Sequence, residues 1–322
     1  MELVAVDLGG TNVRFAIATV QGGRVAHLGS ATTLHTAEHS SLAMAWAAYA
    51  AKAGRSLPRA AGLAVACPIA GDVLKLTNSP WVIRQSTLAA ELGVDHLTLI
   101  NDFGAVGHAV AQLSADHMQH IAGPDIGLPK EGVIGILGPG TGLGVAHVLR
   151  HKTTYHVMES EGGHIDFAPV DAIDDTLLLR LRARYRRVSA ERVVSGPGLA
   201  NIYEALAALE GRAIPAQDDK ALWTAALDGT DSLAVTALGR FCLTLGSVAG
   251  DLALAQGAQG MVIGGGVGTR IAKVLPGSGF ASRFTAKGRL ETMLSAIPVK
   301  LISHPQPGLF GAAAAFAMDH SR

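Results

Sequence analysis

The 322-residue chain is longer than one ordinary hydrophobic core serves, so two domains, or one fold of duplicated origin, are expected. Its composition, 49% hydrophobic and 16% charged with 39 glycines, excludes a disordered or fibrous chain and suits a compact helix-and-sheet enzyme. Basic and acidic residues balance at 26 each, so no polyanionic partner is indicated and nucleic-acid binding is not expected.

The chain opens with VAVDLGGTNVRF, residues 4–15. A Gly-Gly pair between two apolar runs is first of all a tight hairpin turn. After it Val13, Phe15 and Ile17 alternate with Arg14, Ala16 and Ala18, and Gln21-Gly22-Gly23 turns the chain into a strand at 25–28, so the opening reads as a β-meander. A P-loop or dinucleotide fingerprint needs a helix after its glycines, and a P-loop also needs Gly-Lys-Ser/Thr; neither context is present. Residues 40–53 read as a helix stopped by Gly54, 60–66 as a buried strand running into Cys67-Pro68, and 86–92 as a short helix ended by Gly93. A buried strand over 97–100 follows. Asn101 and Asp102 stand at its carboxyl end, ahead of a helix over 103–113, where open α/β sheets place ligands.

Residues 133–148 again read as strand, Gly-rich turn with a threonine, and strand. Setting Thr141 on Thr11 gives an offset of 141 − 11 = 130 residues, and each copy has a further short apolar stretch behind it, 25–28 and 155–158. Such a repeat implies two domains of one topology. Helices are then expected over 172–184, 198–210 (stopped by Gly211) and 232–255, a strand over 260–263 ending in Gly264-Gly265-Gly266, a strand over 299–302 and a closing helix over 309–318. The closing helix is placed with the first domain, giving a small α/β domain of 1–110 plus 303–322 and a large one of 111–302.

Cys67 and Cys242, in apolar surroundings and without Cys-x-x-Cys spacing, read as reduced core cysteines. The stretch 308–318 is too short to span a bilayer, and 247–266 is interrupted by Asp251, Gln256 and Gln259. With acidic Glu2 running straight into a strand, no leader is indicated and a cytoplasmic protein is expected, with no membrane partner.

Three Gly-rich turns at strand ends, two with threonine, suggest one nucleotide: successive backbone amides form an anion-binding concavity that a Cβ would block. Thr11 and Thr141 add hydroxyl donors. Asp7 either holds hydrated Mg²⁺, which keeps several of its waters, or braces the turn.

The set Asp7-Leu8-Gly9-Gly10-Thr11, Ile100-Asn101-Asp102-Phe103, Gly138-Pro139-Gly140-Thr141-Gly142-Leu143-Gly144, the run EGGHIDFAP at 161–169 and ERVVSGPG at 191–198 resembles the bacterial ATP-dependent glucokinase family over nearly the whole chain, in order. The resemblance implies a two-domain actin-like ATPase fold of the hexokinase type, ribonuclease H-like, with a central cleft that closes on the sugar, and the reaction ATP plus glucose to ADP plus glucose 6-phosphate. It further implies Asp102 as the base for the glucose 6-hydroxyl, and Asn101, Glu161, His164 and Glu191 as sugar contacts, with Asn78 as one more. The nucleotide would be bound by Val6, Asp7, Leu8, Gly9, Gly10, Thr11, Gly138, Gly140, Thr141 and Gly142, and by Gly264, Gly265 and Gly266 on the adenosine side. Mg²⁺ on Asp7 through water and a homodimer complete what it implies. Trp81, near Asn78, reads equally well as core packing.

Two positions depart from the family pattern: Gly104, where threonine or serine is more common, and Ser160, where glycine precedes the Glu161 motif. Neither removes a proposed catalytic group; they bear on sugar affinity and loop rigidity. With two cysteines, the cysteine cluster of the related zinc-binding repressor/kinase family is missing. A sugar-responsive regulator on this fold would need a DNA-binding segment ahead of the strand at Leu3, and a chaperone- or filament-type ATPase would not need the Asn101-Asp102 and Glu161-to-His164 motifs. A related hexose kinase of different sugar preference stays open. The arginines within 180–187 read as a charged helix face.

Overall fold

The computed structural model describes residues 1–76, 79–214 and 218–320. They form two compact units: Met1–Ser114 with Val157–Glu159 and the chain from His304 onward, and Ala115–His156 with Ser160–Ser303.

In the first unit the opening meander is β1 (Glu2–Leu8), β2 (Asn12–Gln21) and β3 (Arg24–Leu28), joined by β4 (Thr32–His35). Then follow α1 (Leu42–Ala53), β5 (Ala60–Val65), β6 (Val73–Lys75), β7 (Val82–Arg84), α2 (Gln85–Leu92), β8 (His96–Asn101) and α3 (Asp102–Gln112). The sheet order is β3-β2-β1-β5-β8 with β4 on β2, while β6 and β7 pair with each other. β1 runs antiparallel to β2 and parallel to β5, which runs parallel to β8. β5 is buried at every position, as a central parallel strand must be. α1 starts where the Ser41 hydroxyl accepts the Met44 amide and stops at Gly54, whose φ of 63° suits glycine.

Phe15 stacks on Tyr49 at 4.8 Å and meets the edge of Trp46 at 6.2 Å, anchoring one face of the sheet. Trp81 belongs to the same core, 3% exposed, with Nε1 donating to the His39 carbonyl at 2.9 Å, so core packing accounts for it. Asn78 lies outside the described residues. The other face is covered by the last helix, Pro307–Asp319, whose Leu309, Ala313 and Phe316 pack with Leu3 and Ala5.

The second unit carries β9 (Met118–Ala122), β10 (Gly132–Pro139) and β11 (Leu143–His151), together with the ends of β12 (Thr154–Ser160), whose Val157–Glu159 belong to the first unit. After these come α4 (Ala172–Tyr185), α5 (Gly198–Leu209), α6 (Asp219–Asp228), α7 (Ser232–Gln256), β13 (Ala258–Ile263), α8 (Gly265–Arg270), α9 (Phe280–Thr285), α10 (Glu291–Ser295) and β14 (Val299–Ile302). Its sheet order is β12-β11-β10-β13-β14-β9, with β10 antiparallel to β11 and parallel to β13, itself parallel to β14. This is the order of the first sheet with β9 added at the edge, so the repeat seen in the turns extends to strand pairing. α7 is long and apolar enough by composition to cross a bilayer, but 72% of its most apolar window is buried, with Phe241 and Leu245 at the centre of the unit's core. Near α4, Arg184 pairs with Glu204 at 2.7 Å and Arg192 lies 4.2 Å above the Tyr185 ring.

Asp171 caps α4 by accepting the Ile173 and Asp174 amides. It also meets the guanidinium of Arg240 at 2.6 Å and that of Arg283 at 2.5 Å. Burial pushes its carboxyl up, but the hydrogen bonds from Arg240, the Asp174 amide and Arg283, with the charge of Arg240, outweigh this and bring it to about 2. A carboxyl held below its ordinary 3.8 contributes stability above that value and loses it as pH falls toward 2. Asp171→Asn is therefore expected to lower Tm at pH 7, with the gap to wild type narrowing between about pH 4 and pH 2; calorimetry across that range checks it.

Candidate active site

In the first unit the motifs gather at the carboxyl ends of the parallel strands. The turn after β1 is closed by the Gly9 amide on the Asn12 carbonyl at 2.9 Å. Thr36 braces it, its hydroxyl donating to Gly10 O at 2.7 Å and its amide to Thr11 O at 3.0 Å. Thr11 is exposed at the tip. Asp7 pairs through Oδ2 with Arg14 at 3.0 Å, a partner directly across the β1–β2 ladder that the sequence reading did not foresee. Burial pushes the Asp7 carboxyl up against the pull of Arg14.

Asn101 ends β8 and caps α3. Its Oδ1 accepts the Phe103 amide at 2.8 Å and the Gly104 amide at 3.4 Å, and Nδ2 donates to the Cys67 carbonyl at 3.1 Å. Asn101 is thus a helix cap, yet a side-chain amide has two N–H donors and the second is uncommitted. Asp102 uses Oδ1 to accept the Phe103 amide at 2.9 Å, leaving Oδ2 for chemistry. Burial pushes its carboxyl up to about 6; the Phe103 amide opposes this, and the charges of Asp7 and Glu159 add to it. A carboxylate near that value is a competent proton acceptor at neutral pH.

In the second unit the turn between β10 and β11 is a tight loop, Gly140 N–H to Gly142 O at 2.8 Å, with Thr141 exposed. The Gly196 amide donates to Gly140 O at 2.6 Å, bringing the 191–198 segment against this turn. Glu191 Oε2 accepts the Leu143 amide at 2.9 Å, so this carboxylate buttresses the turn with one oxygen and keeps Oε1 for another partner. The third Gly-rich stretch meets the second at the carboxyl end of β13: Gly264 N–H donates to Leu137 O at 2.9 Å, and Gly265, at φ 76°, lies so close to the Pro139 carbonyl that a Cβ would overlap it. It then starts α8, so these glycines open a helix.

The Glu161-to-His164 motif forms one 3₁₀ turn lying on the start of β11, where a Cβ at Gly163 would overlap the Leu143 carbonyl. That turn holds Glu161 and His164 side by side, Oε2 to Nε2 at 3.9 Å, with both side chains more than half exposed. Arg187 fixes the turn from below, donating to His164 O at 2.7 Å while pairing with Asp166 at 2.8 Å. The described residues contain no cluster of three or more metal-ligating side chains, and Cys67 and Cys242 are buried free thiols. For a cation held mainly by phosphate and water, a single carboxylate with one free oxygen, as on Asp7, is a fitting donor.

Sequence reasoning missed Glu159, which reaches the Asn101 amide at 3.3 Å from 58 residues away, and Trp223, whose Nε1 donates to Gly196 O at 2.9 Å. No local spacing marks either of them.

Solved structures that this fold matches include sugar kinases. A glucokinase from an Antarctic psychrotroph superposes with a TM-score of 0.85 at 36% identity, covering 97% of this chain and 98% of that one. A ROK family glucokinase from Streptomyces griseus in complex with glucose and AMPPNP gives 0.64 at 18% identity over 97% and 98%, a likeness of fold alone. Fold and motifs together define a hexokinase-type kinase of the actin-like ATPase class. The family model described as Glucokinase matches residues 3–319. Glucokinase of Zymomonas mobilis is 62% identical over 321 residues, 100% of this chain and 99% of that protein, and glucokinase of Saccharophagus degradans 39% identical over 312 residues, 97% of each. The chain belongs to the bacterial glucokinase family.

Proposed function

We infer that this chain is an ATP-dependent glucose kinase, transferring the γ-phosphoryl group of ATP to the 6-hydroxyl of glucose with Asp102 as general base. The observation that carries the reading is the Asn101–Asp102 junction: a carboxyl raised to about 6 with one free oxygen, at the carboxyl end of a parallel strand, in a chain 62% identical end to end to a glucokinase. Phosphoryl transfer asks a protein mainly for positioning, charge neutralisation and a group to take the acceptor proton.

In this reading Asp102 Oδ2 takes the proton of the 6-hydroxyl as its oxygen bonds to the γ-phosphorus and the bond to the β-phosphate oxygen breaks, releasing ADP. The second Nδ2–H of Asn101 donates to a sugar hydroxyl. Glu161, His164 and the free Oε1 of Glu191 receive or donate to others; a carboxylate can accept from two vicinal hydroxyls. The amides around Gly9–Thr11 and Gly140–Gly142, with the two threonine hydroxyls, bind phosphate oxygens, and Gly264–Gly266 lets the backbone approach the adenosine. Asp7 Oδ1 would hold a water of hydrated Mg²⁺, which when bound neutralises phosphate charge. A homodimer, on the strength of the family resemblance, and a cytoplasmic location, which the free cysteines suit, belong to the same proposal.

A coupled assay with ATP, Mg²⁺ and a panel of glucose, mannose, fructose and glucosamine tests the reading. Glucose is expected to give the highest kcat/KM. ATP hydrolysis indifferent to every sugar would sink it.

A further inference from the structure

We propose that Glu159 is a positioning residue for the Asn101–Asp102 pair, seated on the first turn of α3 in a space that exists because residue 104 is glycine. The proposal rests on the reading of Asp102 as the base.

Glu159 Oε1 accepts the backbone amide of Asn101 at 3.3 Å, at the junction where β8 becomes α3. A Cβ on Gly104 would overlap that same Oε1 and stand 2.7 Å from the carboxyl carbon, a distance real Cβ atoms do not reach. Two residues earlier on β12, Val157 lies on Gly107, where a Cβ would come within 2.5 Å of Cγ1. Gly104 and Gly107 are three apart on one helix face, and Val157 and Glu159 two apart on one strand face, so strand and helix meet at two matched points.

The carboxylate therefore does two things. It ties down the backbone from which both Asn101 and Asp102 project, and it places a negative group beside the base. The titratable groups that act on Asp102 or that it acts on are Asp7 from β1, itself held by Arg14, Glu159 from β12, and the Cys67 thiol after β5, with the Phe103 amide from α3. Glu159 is in turn raised by its burial against the pull of the Asn101 amide.

The test is steady-state kinetics of wild type, Glu159→Ala, Glu159→Gln, Gly104→Ala and the Gly104→Ala/Glu159→Ala double variant, at saturating ATP and Mg²⁺ from pH 5 to 9, with thermal melts of each. Glu159→Ala is expected to lower kcat about tenfold with glucose KM moved less than about threefold, the mark of a misdirected base. Glu159→Gln recovers most of that loss, because its amide oxygen still accepts from Asn101. It also shifts the acid limb of the kcat profile to lower pH by roughly half a unit, because a like charge beside the base is gone.

Gly104→Ala displaces the carboxylate and reproduces the loss, and the double variant is no worse than either single one, as expected of two residues acting through one contact. Additive losses would overturn the proposal, as would wild-type kcat in Glu159→Ala or an acid limb unmoved in Glu159→Gln. Should Glu159→Ala not fold, the glutamine and Gly104 variants decide the matter alone. A wild-type protein inactive on glucose would instead overturn the underlying reading, and this inference with it.

Discussion

Replacing Asp102 with alanine is expected to lower kcat by a factor on the order of 10²–10⁴, the usual span for a general base, while glucose affinity stays within a few-fold of wild type. The split follows from the geometry. Asn101 and not Asp102 caps α3 with its side chain and ties the junction to Cys67, so the strand–helix corner survives the change. What is lost is Oδ2, the oxygen left free when Oδ1 accepts the Phe103 amide. The wild-type profile is expected to carry the same signature: kcat should fall as pH drops through about 6, because a protonated carboxyl cannot accept, and the limb should disappear in Asp102→Ala. Rapid-quench measurement of the chemical step with equilibrium glucose binding separates the two parameters. Wild-type turnover in the variant would remove Asp102 from the chemistry.

The second large effect is expected at Trp223, far in sequence from the motifs. Its ring is 2% exposed, meets Phe241 edge-on at 5.3 Å and has the Arg270 guanidinium 5.5 Å from its centroid. Its Nε1–H donates to the Gly196 carbonyl, and the Gly196 amide donates to the Gly140 carbonyl, so one side chain is linked by two hydrogen bonds to the Gly140–Gly142 turn, which the proposed function assigns to phosphate. Trp223→Ala is expected to destabilise the second unit by about 3–5 kcal/mol, the range for truncating a large buried aromatic. Trp223→Phe keeps most of the packing and costs about 1–2 kcal/mol through the carbonyl left unpaired, but raises the KM for ATP several-fold. Urea unfolding and ATP kinetics on the phenylalanine variant check both parts. An unmoved ATP KM at lowered stability would confine the tryptophan to the core.

Much of this architecture was legible because it is written locally. Glycines at 54, 93 and 211 end helices at positive φ, and the alternation after Thr11 places β2. The 130-residue offset anticipates the two sheets of matching order. Short elements were missed: β4, β6, β7, β9, α6 and α8 to α10 are mostly a few residues long, below the length at which a period shows. At the site, Asn101 and Asp102 could be read from their place after an apolar strand. The bond from the Leu143 amide to Glu191 and the pairing of Asp7 with Arg14 could not, since each depends on register or tertiary approach. Gly104 stood out in the sequence as an unusual glycine; its cause, Glu159, is supplied by a strand fifty-five positions on.

The last helix has a consequence for how the protein is made. Leu309, Ala313 and Phe316 complete the core begun by Leu3 and Ala5, so segments far apart in sequence solidify together. On a ribosome, where domains otherwise settle as they emerge, the opening meander must wait, one sheet face bare, until the whole second unit has been synthesised. Nascent chains halted before residue 307 would expose that apolar face, and chaperone engagement is expected to concentrate on β1 and β2 and to cease once residues 307–319 have emerged.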